Sequence, residues 1–147
     1  MKYRKAVFIV TYSLTEKKLQ YLILKRKLHW KGWEFPKGGI NFFETKKTAV
    51  KRELLEETGL SPIGKIKKFD FKGRYNYNKK LSDRPNFRGQ TFTLYAAHVK
   101  KAKIKPDKLE HSDYKWVFYD KALKMLKWPN QKKSLEIVNE WLKKRDT

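Results

Sequence analysis

The chain of 147 residues contains no cysteine. That absence excludes disulfide staples, thiolate metal sites and a thiol nucleophile together, and leaves oxygen or imidazole as the ligands for any metal. Glycine and proline are sparse, at seven and five, so each is informative where it stands. Acidic side chains are outnumbered by basic ones, 15 against 37, for a formal net charge of +22. No apolar run approaches the ~18 residues of a membrane-spanning helix. The N-terminal "MKYRKAVFIVTYSLTEKKLQ" lacks a signal peptide's long apolar stretch followed by small residues. A cytoplasmic protein with no membrane partner is expected.

What is present argues for a folded body. The hydrophobic fraction is 39% and includes five Trp, eight Tyr and nine Phe, too many large apolar groups for a disordered polyelectrolyte. One domain over residues 1–147, acting as a monomer, is the expectation, and a chain of this size buries roughly two-thirds of its unfolded surface. The basic residues are mostly lysine and run along the whole sequence, whereas reading of nucleic-acid bases favours the arginine fork. The charge therefore reads as a solvated cationic surface or as a polyanion-binding one. Either draws in anionic ligands.

The alternation in "KAVFIVTY" and "LQYLILKR" predicts two strands joined by a turn around Leu14 to Lys18. After the loop "HWKGWEFPKGG", a helix is predicted from Thr45 to Thr58 with Gly59 as its left-handed cap, and Pro62 forbids its continuation. Ile63 to Phe71 and "QTFTLYAAHV" read as strands, the second with Phe92, Leu94, Ala96 and His98 on one side and His98 as a satisfied core histidine. The insert between them, "GRYNYNKKLSDRPNFRG", is long enough to be functional. "YKWVFY" reads as a short strand, Asp120 as the cap of a helix over Ala122 to Leu126, and Asn130 to Lys144 as a last helix burying Leu135, Val138, Trp141 and Leu142. The order gives an α+β class or a three-layer α/β/α sandwich.

The sequence breaks a local rule in "RELLEETG". Glu53, Glu56 and Glu57 stand at i, i+3 and i+4, so their carboxylates share one helix face and repel by a few tenths of a kcal/mol per pair. They also crowd the last turn, where the macrodipole disfavours each anion by about 0.3–1 kcal/mol. Clustered acids of this kind are relieved by a hard divalent cation with oxygen ligands, magnesium or manganese. Val50, Leu54 and Leu55 offer the opposite side of the helix to a core.

The spacing Gly38, Glu44, Arg52, Glu53, Leu54, Glu56, Glu57, Gly59, Leu60 resembles the box of the Nudix hydrolase family at every fixed position. Chance alignment from background composition is on the order of 10⁻⁹ per start position. The resemblance implies an α/β/α sandwich around a mixed central sheet with the box as loop-helix-loop, and hydrolysis of a nucleoside diphosphate linked to another group, with magnesium (or manganese) held by Glu53, Glu56 and Glu57 and by a backbone carbonyl near Lys37. It implies that Glu44 and Arg52 brace the loop and helix beside the catalytic acids, and that Gly59 closes the helix. Divalent ions would neutralise phosphate oxygens and acidify a bound water. Glu53 is the first choice for the group that receives its proton and Glu57 the second, with Arg52 completing the catalytic set.

Three further stretches resemble the asymmetric diadenosine tetraphosphate hydrolases: "WEFPKGG", Tyr77 at its distance beyond the box, and "EHSDYKWVFYDKALKML". They imply phosphate contacts from Lys37, Gly38 and Gly39, and a further metal or base candidate in Glu110, with His111 beside it. "RGQTFTLYAAHV" resembles a segment of RNA pyrophosphohydrolases but departs from it at Thr93, Leu94 and Tyr95. Tyr75, Tyr77, Lys79, Arg88 and His29 are the candidates for gripping the nucleotide, since aromatics and cations alternate there. Cleavage of diadenosine tetraphosphate to ATP and AMP is the expected reaction. Removal of pyrophosphate from RNA 5′ ends, hydrolysis of nucleoside triphosphates, and RNA binding on an inactive scaffold are the alternatives.

Overall fold

The apolar run in the first strand is explained by burial on both faces. The computed structural model describes residues 2–145, so Met1, Asp146 and Thr147 of the expected domain lie outside the described residues. Strand β1 (Lys2–Thr15) sends Val7 and Ile9 to one side and Phe8, Val10 and Tyr12 to the other. A strand covered on both faces reads as a continuous apolar run rather than an alternating one.

β1 turns through Glu16 and Lys17, both at positive φ (51° and 63°), into the antiparallel β2 (Lys18–Arg26). Short strands β3 (Gly32–Glu34) and β4 (Lys37–Gly39) follow, then helix α1 (Lys46–Thr58), β5 (Lys67–Asn76), β6 (Phe87–His98), β7 (His111–Val117), α2 (Tyr119–Met125) and α3 (Pro129–Arg145). The seven-stranded sheet runs β3-β2-β1-β6-β5, with β4 on β1 and β7 on β2. β1 and β6 are parallel and the other pairs antiparallel. The sheet is mixed and carries helices on both faces, as the α/β/α reading expects.

One layer packs Phe8, Phe35, Phe92, Leu94, Leu135 and Val138 between the sheet and α2–α3. The other packs Val7, Ile9, Tyr95 and Ala97 under Val50 and Leu54 of α1. Each such side chain contributes about 1.5–3 kcal/mol by leaving water, which fixes α1 against the sheet. Its N-cap is Thr45, whose hydroxyl accepts from the Thr48 amide, and Gly59 closes it at φ 79°.

Several local expectations are corrected. Leu55 is exposed rather than packed, because the short helix buries only the stripe carrying Val50 and Leu54. The strand placed at Ile63 to Phe71 starts at Lys67 and continues to Asn76, since β6 offers partners as far as Gly89. Part of the supposed loop is therefore strand. Asp120 lies in the first turn of α2, whose cap position is Phe118. His98 is half-buried at the rim, stacked on Tyr12 with ring centroids 5.0 Å apart. Trp141 is half-buried as well and meets the edge of Phe69.

Candidate active site

Helix α1 meets β4 through a glycine that has no room for a side chain. A Cβ on Gly38 would fall 1.9 Å from Glu53 Cδ, so Glu53 lies directly on the β4 backbone. A Cβ on Gly39 would meet the Arg4 guanidinium at 2.4 Å. Arg52 ties the parts together. Its Nε and Nη2 donate to the two oxygens of Glu44 at 2.7 and 2.9 Å, its Nη2 also to the Gly39 carbonyl at 2.8 Å, and its Nη1 to Glu53 and Glu56 at 2.8 and 3.2 Å. One guanidinium thus screens the acids that the helix end disfavours.

Glu57 points the other way, into the protein. Its Oε1 accepts from the Lys37 amide at 2.8 Å, so the backbone N–H of Lys37 holds this acid in place. Among the described residues, its Oε2 has no hydrogen-bond partner, and neither has His111 Nδ1, 3.7 Å away. The other imidazole nitrogen, His111 Nε2, meets Glu34 Oε2 at 2.9 Å. Arg26 lies between Glu34 and Glu110, 3.3 Å from an oxygen of each.

Burial alone would raise the Glu34 carboxyl, but Lys37, His111 and Arg26 overcome it and bring it down to about 2. Glu57 goes the other way, pushed well above the carboxylate range by burial and then by Glu34 and Glu110. Burial also raises Glu53, against the pull of Arg52.

A cation fits this arrangement. One ligand atom each from Glu57, Glu110 and His111 lies within 4.8 Å of the others, and Glu57 and His111 are the residues with the unpartnered atoms. Two carboxylates and an imidazole suit a divalent ion. Glu53 and Glu56 stand outside that group and form, with Arg4, Arg26, Arg84, Gln90 and Gly38, the wall of a polar cleft that Glu110 and Lys37 also line. The three box glutamates therefore do not converge on one point. Glu57 faces inward, Glu56 faces solvent, and Glu53 lies between.

Lys37 also lines a second, aromatic cavity of about 380 Å³ walled by Phe8, Trp30, Tyr75, Tyr77 and Trp128, with His29 and Lys79 among its other lining residues. Its Nζ lies 4.5 Å from the Trp30 ring centroid and 3.6 Å from Glu34. Gln90 bridges the two spaces. It accepts from Arg4 at 3.0 Å and donates to the Tyr75 hydroxyl at 2.9 Å. Arg84 donates to the Tyr77 hydroxyl at 3.0 Å, and His29 meets Asp83 at 2.9 Å, joining the β2–β3 loop to the insert.

Of the nucleotide-gripping candidates, Lys37, Tyr75, Tyr77, Lys79 and His29 come together here. Arg88 does not. It lies over Tyr3 at 4.8 Å, because the β1–β6 register slips at this point: Lys2 stands opposite Phe87 and Tyr3 opposite Gly89, which leaves Arg88 as the extra residue of a bulge. Gly39 serves Arg52 and Arg4. Four groups escaped sequence reasoning: Glu34, Arg26, Arg4 and Gln90. The one available signal for Glu34 was an acid within "WEFPKGG" in a chain poor in acids. The others had none, since they converge only through the pairing of β1, β2 and β6.

The NUDIX domain family model matches residues 2–137. An RNA pyrophosphohydrolase of a Nitratiruptor species is 36% identical over 135 residues, 87% of this chain and 87% of that protein. A NUDIX hydrolase structure from Listeria monocytogenes superposes with a TM-score of 0.79 at 26% identity, covering 99% of this chain and 97% of that one. The binary complex of a C. elegans Ap4A hydrolase superposes at a TM-score of 0.72 and 21% identity, over 95% and 97%, and shares the fold. Among the described residues, no helix is long and apolar enough to cross a membrane.

Proposed function

The chain belongs to the NUDIX domain family, and from that premise we propose that it is a divalent-metal-dependent pyrophosphohydrolase that trims the 5′-triphosphate end of RNA. The carrying observation is that Lys37 is shared between the aromatic cavity and the carboxylate–arginine cleft. A terminal base stacks among Trp30, Tyr75, Tyr77 and Trp128, and its phosphates run past Lys37 toward Glu53 and Glu57. The relative from Nitratiruptor and the net charge of +22 support RNA as the carrier of that end.

Glu57, Glu110 and His111 would hold the cation, with Glu53 and Glu56 at its edge, and when bound it supplies charge neutralisation of phosphate oxygens and acidification of the attacking water. Arg4, Arg26 and Arg84 face the phosphates from the cleft wall. Glu53, raised by burial, receives the water's proton and is held for it by Arg52. The water oxygen joins phosphorus, the bridging oxygen leaves with pyrophosphate, and RNA with a 5′-monophosphate remains.

A second reading, cleavage of diadenosine tetraphosphate to ATP and AMP, is favoured by the segment "EHSDYKWVFY", whose Glu110 and His111 lie at the cluster. The test is turnover with magnesium or manganese of 5′-triphosphorylated RNA, diadenosine tetraphosphate, nucleoside triphosphates and ADP-ribose, with products resolved by anion exchange. The RNA reading expects the highest kcat/KM for RNA. A hundredfold preference for the dinucleotide would replace it with the second reading.

A further inference from the structure

Helix α1 covers only part of its side of the sheet. It packs on Val7, Ile9, Tyr95 and Ala97, but toward the start of β1 the same face continues without a covering helix among the described residues. There the register sets Lys5 beside Thr91 and Arg74, and Val7 beside Thr93 and Lys72. Together with Lys46 from the first turn of α1, these cations line a hollow of about 370 Å³. Next along the strand, Tyr3 carries Arg74 and Arg88 over its ring at 5.1 and 4.8 Å.

Two features of this face bear on what it binds. None of Lys5, Lys46, Lys72, Arg74 and Arg88 has a carboxylate within ion-pair distance among the described residues. The second feature is aromatic. The loop between Ile40 and Lys46, both of which line the hollow, holds Phe42 and Phe43 in water at 86% and 96% exposure with their rings 4.1 Å apart. Unpaired cations beside bare aromatic rings are the combination that binds a single strand, phosphates on the charges and bases on the rings. A duplex would leave the rings unused.

We propose that this face binds the single-stranded body of an RNA whose 5′ end is processed at the active site. The inference rests on the RNA reading of that site for its purpose, but its test does not need catalysis. Fluorescence anisotropy with a labelled single-stranded oligoribonucleotide bearing a 5′-hydroxyl reads the face alone. Replacing Lys5, Lys72 and Arg74 together by glutamine weakens binding at least tenfold at 0.1 M salt, and lowers the slope of log K against log salt by about 2, at ~0.7 per phosphate contact. Replacing Phe42 and Phe43 by serine weakens binding about tenfold with the slope unchanged. All five side chains are solvent-exposed, so both variants keep the wild-type melting temperature and the wild-type turnover of whichever free nucleotide the substrate panel shows to be hydrolysed. Undiminished RNA affinity in the triple variant, or equal affinity for a duplex of the same length, overturns the proposal. If the oligonucleotide binds as expected but triphosphorylated RNA is not hydrolysed, the catalytic reading fails and the face stands. If triphosphorylated RNA is hydrolysed while the variants bind normally, the face fails alone.

Discussion

Glu57 Oε2 and His111 Nδ1 lie 3.7 Å apart in the interior, and neither has a hydrogen-bond partner among the described residues. Leaving two such groups unsatisfied costs about 1–3 kcal/mol each. A divalent cation between them removes the cost, so ligand binding and fold stability are linked at this point.

The linkage gives a pH dependence. A carboxyl raised in the folded state contributes stability that is present at low pH and lost as pH rises through its folded value. Without metal, Glu57 makes the protein less stable from about pH 4.5 upward. In EDTA, the melting temperature of wild type relative to Glu57→Gln should fall between pH 5 and 8, and manganese should flatten the difference. Glu34, held down near 2, acts below that window, where its contribution is lost as pH falls from about 4.5 to 2.

Arg52 forks onto Glu44 and reaches Glu53, Glu56 and Gly39 as well. Arg52→Lys keeps the charge and loses the fork. It should lower kcat at least tenfold with little change in KM, and destabilise the protein by about 1–2 kcal/mol in urea unfolding.

Gly38→Ala places a methyl against Glu53 Cδ. Such overpacking costs about 1–3 kcal/mol and displaces the acid, so hydrolysis should fall a hundredfold or more. Gly64→Ala is the matched comparison. Its φ is 73° with nothing within 4 Å of the new Cβ, so it should cost about 1 kcal/mol of backbone strain and leave kcat unchanged.

Trp30→Ala removes one wall of the aromatic cavity. A stacking partner is worth ~1–3 kcal/mol per base, so KM for a nucleotide substrate should rise ten- to hundredfold. Manganese affinity, read by electron paramagnetic resonance, should stay the same.

The layers and most elements were legible because strand and helix periods differ and because Thr45, Gly59 and Pro62 punctuate the chain. The box acids were legible because they violate helix electrostatics. What remained hidden depends on pairing at a distance. Arg4 and Gln90 are adjacent because β1 and β6 run parallel in register, and Glu34 meets His111 because β3 and β7 both pair with β2. The side-chain directions of Glu53, Glu56 and Glu57 were also hidden, since helical spacing gives a shared face but does not say which acid the core will swallow.

The parallel pairing of β1 with β6 joins Lys2–Tyr12 to Phe87–His98. Closing so long a span is slow compared with forming a hairpin or a helix. On the ribosome, the N-terminal half can form its β1–β2 hairpin and α1, yet Arg4 has no Gln90 to hold it until the second half emerges. The arginine-lined cleft is thus assembled late in synthesis, and a truncated chain carries the family's signature residues without the enzyme they belong to.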